Sequence, residues 1–238
     1  MNSAHDHHHA ARRSRPGRLV TLLLILALFL FRTPPVLATG PIVLDGQFGD
    51  WEGQAFISDP ALDAQNEPTD LKSFSWANNP DDPTAYFMAE RWVGLNQPVT
   101  FRVYIDTNNN GSYGETVDRV VLVNYQPNAE NSRVDVSLFD GTGDQVAVIA
   151  NNADWGESVS EGGTRVEFGA SFTQLGIAPG QTIRMYLESA TGGGANPGIA
   201  DGTAEVQWSP ASILGWPLLL IVLIAGALWL TMTRRHIR

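Results

Sequence analysis

The sequence has no cysteine. A disulfide framework and thiolate chemistry are therefore excluded. Histidine is confined to the two ends: His5, His7, His8, His9 and His236 lie outside residues 39–208. Within that stretch a Ser–His–Asp triad, a Cys–His pair and His-ligated zinc are ruled out. Positive charge is scarce there too. Fifteen Lys and Arg against 25 Asp and Glu give a net charge of −10. Eight of the arginines and one acid, Asp6, lie outside residues 39–208, leaving seven bases against 24 acids, a formal charge of −17. Such a surface lacks the basic footprint that nucleic acid requires. It suits display outside a cell and the binding of hard cations.

Long apolar runs are few, and both lie near the ends. Arg12, Arg13, Arg15 and Arg18 precede an apolar run at 19–31 that is broken only by Thr21. Val36-Leu37-Ala38 then fits the small-x-small rule of signal peptidase. Residues 1–38 are expected to be a signal peptide cleaved before Thr39; the alternative is an uncleaved anchor, because Arg32 and Pro34-Pro35 make an unusual approach. The His5–His9 cluster reads as the part of that signal left in the cytosol. The second run, 213–232, carries no charge and has the length of a bilayer core at about 1.5 Å per residue. Trp216 and Trp229 stand near its ends, and Arg234, Arg235 and Arg238 follow. A single C-terminal transmembrane helix at 213–233 and a cytoplasmic tail at 234–238 are expected. No sorting pentapeptide precedes the span. The chain is thus expected at the cell membrane, single-pass, with residues 39–208 extracytoplasmic.

Residues 39–208 are long enough for one domain with a core of its own. Val99, Phe101, Val103 and Ile105 alternate with polar residues, the period of a half-buried strand. Val134, Val136 and Leu138 repeat it, as do Val166 with Phe168, and Ile183, Met185 and Leu187. Further strands are expected at 71–77, 85–92, 117–125, 145–150 and 203–208. A short helical turn is expected at 171–175, and a Gly-rich loop at 190–202. Turn-forming clusters such as 78–83, 108–111 and 141–144 separate the strands. The fold class expected is all-β: an antiparallel β-sandwich of about nine to eleven strands, plus the C-terminal helix.

The order of motifs carries a resemblance. Ile42-Val43-Leu44-Asp45-Gly46…Asp50-Trp51 opens the domain. Ser58-Asp59-Pro60…Asp63, Thr69-Asp70-Leu71-Lys72 and Asn78-Asn79-Pro80 follow, then Val103-Tyr104-Ile105-Asp106-Thr107-Asn108-Asn109-Asn110. Val166-Glu167-Phe168…Leu175-Gly176-Ile177 precedes the last long strand. This succession resembles the DOMON-like superfamily, in particular family 9 carbohydrate-binding modules, over roughly residues 41–208. The resemblance implies a β-sandwich, often calcium-stabilised, that binds sugars in some members and haem in others. The haem branch uses Met and His as axial ligands; Met88 and Met185 are present here but no His, so no haem is expected.

Asp106, Asn108, Asn110 and Ser112 place oxygens at alternate positions around Gly111, the pattern of a calcium loop. Calcium takes about six to eight oxygens, so Glu115 or Asp118 must complete the shell. The competing reading is an ordinary Asn/Gly hairpin loop. Asp59, Asp63, Glu67 and Asp70 form a second acidic cluster, which reads as a solvated loop able to hold a cation. Asp45-Gly46 is expected to be a turn with Trp51 packed beneath it. Trp92, Tyr113 and Trp155 are the candidates for stacking on a sugar ring, with Trp155 in the most loop-like setting; Trp76 reads as core. Paired-carboxylate hydrolysis remains open in principle, but no pair stands out and no general acid–base signature is present. The expectation is a non-catalytic binding module for extracellular glycan, or a structural or protein-interaction domain of the envelope.

Overall fold

The computed structural model describes residues 40–191 and 198–211. The expected signal peptide, transmembrane helix and tail lie outside the described residues, as do residues 192–197 of the expected Gly-rich loop. Among the described residues no helix is long and apolar enough to cross a membrane.

Among the described residues eleven strands form two antiparallel sheets. In chain order they are β1 (Ala55–Ser58), β2 (Leu71–Ala77), β3 (Thr84–Arg91), β4 (Val99–Asp106), β5 (Arg119–Pro127) and β6 (Ser132–Asp140). Then come β7 (Gln145–Ala153), β8 (Arg165–Ser171), β9 (Ile183–Ala190), β10 (Ile199–Gly202) and β11 (Val206–Trp208). The smaller sheet has the order β1-β2-β3-β8. The larger runs β10-β9-β4-β5-β6-β7, with β11 also paired to β9. Among the described residues the one α-helix, α1 (Phe172–Leu175), is a single turn closed by a capping box between Ser171 and Gln174.

The period-2 residues named above are the ones that meet between the sheets. Phe101, Val103 and Ile105 of β4, Val134, Val136 and Leu138 of β6, and Met185 and Leu187 of β9 are fully buried. They join Phe74, Phe87 and Phe168 of the smaller sheet in one core. Phe87 lies between Phe74 and Phe168, with ring centroids 5.9 and 5.6 Å away.

The smaller sheet is covered on its far side as well. Ile42, Phe48 and Trp51 pack on Ala77, Tyr86 and Met88, residues that point away from the main core. Burial on both faces fits the continuous apolar run Ala85–Ala89 in β3, whereas β2 alternates Phe74 and Trp76 with Ser73 and Ser75. Two expected boundaries move. The strand expected from 117 starts at Arg119, because Glu115–Asp118 closes as a turn with Asp118 N–H on the Glu115 carbonyl at 3.0 Å. The strand expected at 203–208 shortens to β11 (Val206–Trp208), and β10 (Ile199–Gly202) forms inside the stretch expected as a Gly-rich loop; the two pair with opposite ends of β9.

Candidate functional site

The N-terminal cover is anchored by one side chain. Glu167 is fully buried on the far face of β8. Its Oε1 accepts the Asp45 and Gly46 N–H groups at 2.6 and 2.7 Å, and its Oε2 accepts Trp51 Nε1–H at 2.9 Å. Gly46 takes φ +77°, so the Asp45-Gly46 turn is formed as expected and Trp51 lies beneath it. Burial pushes the Glu167 carboxyl up to about 7, against the pull of its three donors, and Asp50 adds repulsion.

The cover protects only part of that face. Beyond Trp51, toward β1, the sheet is open and forms a groove of about 370 Å³. This is near the lower end of ligand-site volumes, about 300–1,000 Å³. Phe56 of β1 (65% exposed) and Trp92, just after β3 (44% exposed), present rings to it. Ser73 and Ser75 of β2 and Met88 of β3 line its floor. Lys72 reaches Glu90 at 2.9 Å and lies 5.5 Å from the centre of the Trp92 ring. Ser73 Oγ donates to the other Glu90 oxygen at 3.1 Å. Two rings above small hydroxyls and one ion pair can hold a flat ligand by its apolar faces and bond its hydroxyl groups at the edge.

The loop after β4 is knit together by its own hydrogen bonds. Asp106, fully buried, accepts Asn110 N–H at 3.2 Å and Gly111 N–H at 2.7 Å. The Nδ2 groups of Asn108 and Asn110 both donate to the Glu115 carboxylate, at 2.8 and 3.0 Å. Asp118, also buried, takes the Thr107 and Glu115 N–H groups. Ser112 N–H donates to Asn110 Oδ1 at 2.8 Å. The structure therefore brings all six expected ligand residues into one loop. Their polar atoms bond one another, and with the amides as placed it is nitrogen, not oxygen, that faces Glu115.

The chain matches no family model, no curated protein and no solved structure. The site is therefore read from its geometry.

The three expected stacking residues part company. Trp92 lines the groove. Tyr113 is half-buried 4.9 Å from Tyr186, edge to face, and its hydroxyl donates to Glu205 at 2.6 Å. Tyr186 in turn stacks on Tyr104 at 4.9 Å, on the outer face of the larger sheet. Tyr113 is thus part of a tyrosine cluster away from Trp92. Trp155 lies in the connection after β7, as its loop-like setting suggested, but it is half-buried against the main core rather than presented to solvent. Ser132 N–H and Oγ–H donate to Asp154, and Glu167 N–H donates to the Trp155 carbonyl, so the segment lies along β8. Phe56 and the pair Lys72–Glu90 escaped the sequence reading. The signal available was Lys72-Ser-Phe-Ser75, whose small hydroxyls mark one face of a strand.

The second acidic cluster is also rearranged. Asp59 and Asp70 are buried, not solvated. Carboxylate oxygens of Asp59, Asp63 and Asp201 lie within 4.8 Å of one another, while Glu67 is not part of that group. Burial, then repulsion from Asp201, Asp63 and Asp70, pushes the Asp59 carboxyl up to about 7. Asp201 sits on β10, 130 residues from Leu71, whose N–H it accepts at 2.8 Å.

Proposed function

We propose that residues 39–208 are the extracytoplasmic part of a membrane-anchored, non-catalytic binding module, and that the groove beside Trp92 takes an extracellular glycan. The observation that carries this reading is the pair of exposed rings, Phe56 and Trp92, over a floor of Ser73 and Ser75 with the Lys72–Glu90 ion pair beside it. Pyranose rings offer C–H faces to the indole and phenyl groups, and hydroxyls to the carboxylate, ammonium and serine groups. The acids of the groove are engaged in other ways: Glu90 is tied to Lys72 and Ser73, and Asp59 belongs to the acidic cluster.

The test is a titration of the full-length chain with oligosaccharide ladders of β-1,4-glucan, xylan and chitin, followed by tryptophan fluorescence. At least one ladder is expected to shift the emission. Trp92→Ala is expected to weaken that binding by roughly 30-fold, the scale of losing about 2 kcal/mol at a tryptophan anchor. Phe56→Ala should weaken it less. Silence across all three ladders, or equal affinity for Trp92→Ala, would remove the glycan reading.

One observation favours a protein-contact role instead. Strand β7 ends the larger sheet, and its Val146 and Val148 are 49% and 61% exposed. A free strand edge with apolar side chains is a template for pairing with another chain. Val148→Lys would abolish such a contact and leave glycan binding unchanged.

A further inference from the structure

The groove ends at Asp59, and there the charge of the molecule is out of balance. Oxygens from Asp59, Asp63 and Asp201 converge within 4.8 Å. Asp70, 3% exposed, adds a fourth carboxylate whose charge acts on both Asp59 and Asp201. Like charges held this close repel strongly unless a cation sits between them or protons neutralise them. Among the described residues, the ion pairs are Lys72–Glu90, Arg133–Asp135, Arg165–Glu157 and Arg184–Glu205, and none involves these four acids.

Two of the oxygens are also left over. Asp59 is 8% exposed, and its buried Oδ2 has no hydrogen-bond partner. Asp70 uses Oδ2 to accept Leu62 N–H at 2.8 Å, and its buried Oδ1 has no partner. A buried carboxylate oxygen without a donor is costly, and a fold keeps one only where something else satisfies it. Leu62 itself takes φ +71°, strained for a side-chain-bearing residue, to bring its N–H to Asp70. The segment is then pinned to β10: Gln65 N–H donates to the Ala200 carbonyl at 3.1 Å, and Gln65 Nε2 to the Ile199 carbonyl at 3.2 Å.

We propose that Asp59, Asp63, Asp70 and Asp201 form a divalent-cation site of calcium type, which ties the smaller sheet to β10 of the larger one at the end of the groove. Hard carboxylate oxygens with no His or Cys among them select calcium over zinc or copper. The site is separate from the loop at 106–118, whose polar atoms are already engaged with one another. It does not depend on the glycan reading.

The test uses the full-length chain, stripped with EDTA, and follows thermal unfolding and calorimetry with calcium chloride alone. Wild type is expected to melt several degrees higher in millimolar calcium, by mass action on the folded state. Asp63→Asn is the cleanest variant, because Asp63 is exposed and its loss leaves no buried group bare. It should weaken calcium binding by about tenfold or more, the scale of altering a metal shell. Asp59→Asn should do the same and should melt no lower than wild type in EDTA, because it relieves repulsion. Glu115→Gln, in the other loop, should keep the full response. Absence of any calcium response in wild type would overturn the site. So would a response that survives Asp63→Asn and Asp59→Asn but vanishes in Glu115→Gln, which would place the cation in the 106–118 loop.

Discussion

Arg91→Ala is expected to lower the melting temperature of this protein by roughly 8–16 °C. Arg91 is fully buried at the end of β3, and it belongs to none of the ion pairs among the described residues. Its guanidinium instead donates to three backbone carbonyls from three loops. Nη1 reaches Pro68 at 2.9 Å, Nη2 reaches Gln97 at 2.8 Å, and Nε and Nη2 reach Gly163 at 3.1 and 2.8 Å. The Tyr125 ring lies 5.5 Å from the guanidinium carbon. Desolvation pulls the Arg91 pKa down to about 10, so the side chain stays charged at neutral pH. Charge-assisted bonds of this kind contribute about 1.5–3 kcal/mol each, and the three carbonyls would lose their donors together. A net cost of roughly 4 kcal/mol, at about 2–4 °C per kcal/mol for a domain of this size, gives the stated shift. Arg91→Met restores volume but no donors and should recover only the packing part. Arg91→Lys keeps the charge but cannot reach three loops from one nitrogen. If Arg91→Met melts like wild type, the carbonyl network contributes nothing. The site also fixes Gly163: it takes φ +63°, and a Cβ there would lie 2.3 Å from the Leu95 carbonyl oxygen.

Glu167→Ala is expected to cost about 3 kcal/mol, seen as a melting point roughly 6–12 °C lower. It would strip the acceptor from the Asp45 and Gly46 N–H groups and from Trp51 Nε1 at once, and so loosen the whole N-terminal cover. The same residue predicts a pH effect. Its folded pKa, about 7, lies above the ordinary value of 4.5. Between those values the folded state holds a proton that the unfolded chain releases, so stability falls as pH rises. The contribution is complete below pH 4.5 and is lost as pH passes 7. Unfolding measured from pH 5 to pH 8 should show this fall in wild type, and a smaller one in Glu167→Gln, which does not titrate. Equal slopes in the two proteins would show that Glu167 ionises in the fold as freely as in the unfolded chain.

The strands were legible where apolar residues alternate with polar ones: along β4 and β6 the inward side chains are Phe101, Val103, Ile105, Val134, Val136 and Leu138, while Thr100, Arg102, Arg133 and Asp135 on the other side are polar. Phe101, Val103, Val134 and Val136 could be placed in the core from spacing alone. In the smaller sheet β2 and β3 were legible within one residue of their ends, β2 from Phe74 and Trp76 alternating with serines and β3 from its apolar run, whereas the four-residue β1 was not. Among the site residues, Trp92 was legible as an aromatic flanking a strand. Phe56 was not, because β1 has only four residues and its facing direction comes from pairing with Ser75. Trp155 looked like loop in the sequence, and its burial depends on Ser132 capturing Asp154 across 22 residues. The acidic cluster was half legible. Asp59, Asp63 and Asp70 are close in sequence, but Asp201 joins them only through the pairing of β10 with β9. Periodicity carries no trace of such a long-range partner.

The Glu167 anchor has a kinetic consequence. Its acceptors bind groups 116, 121 and 122 residues earlier in the chain. The neighbouring β3–β8 pairing joins Thr84 to Ser171. Until β8 has been synthesised, β3 is an open sheet edge and the N-terminal cover has nothing to hold it. Closing loops of this length is slow, and topologies dominated by distant pairings fold in milliseconds to seconds. The first half of this domain therefore cannot complete its fold while the ribosome is still making it. Until the second half arrives, the edge of β3 and the groups that Glu167 will hold stay uncovered.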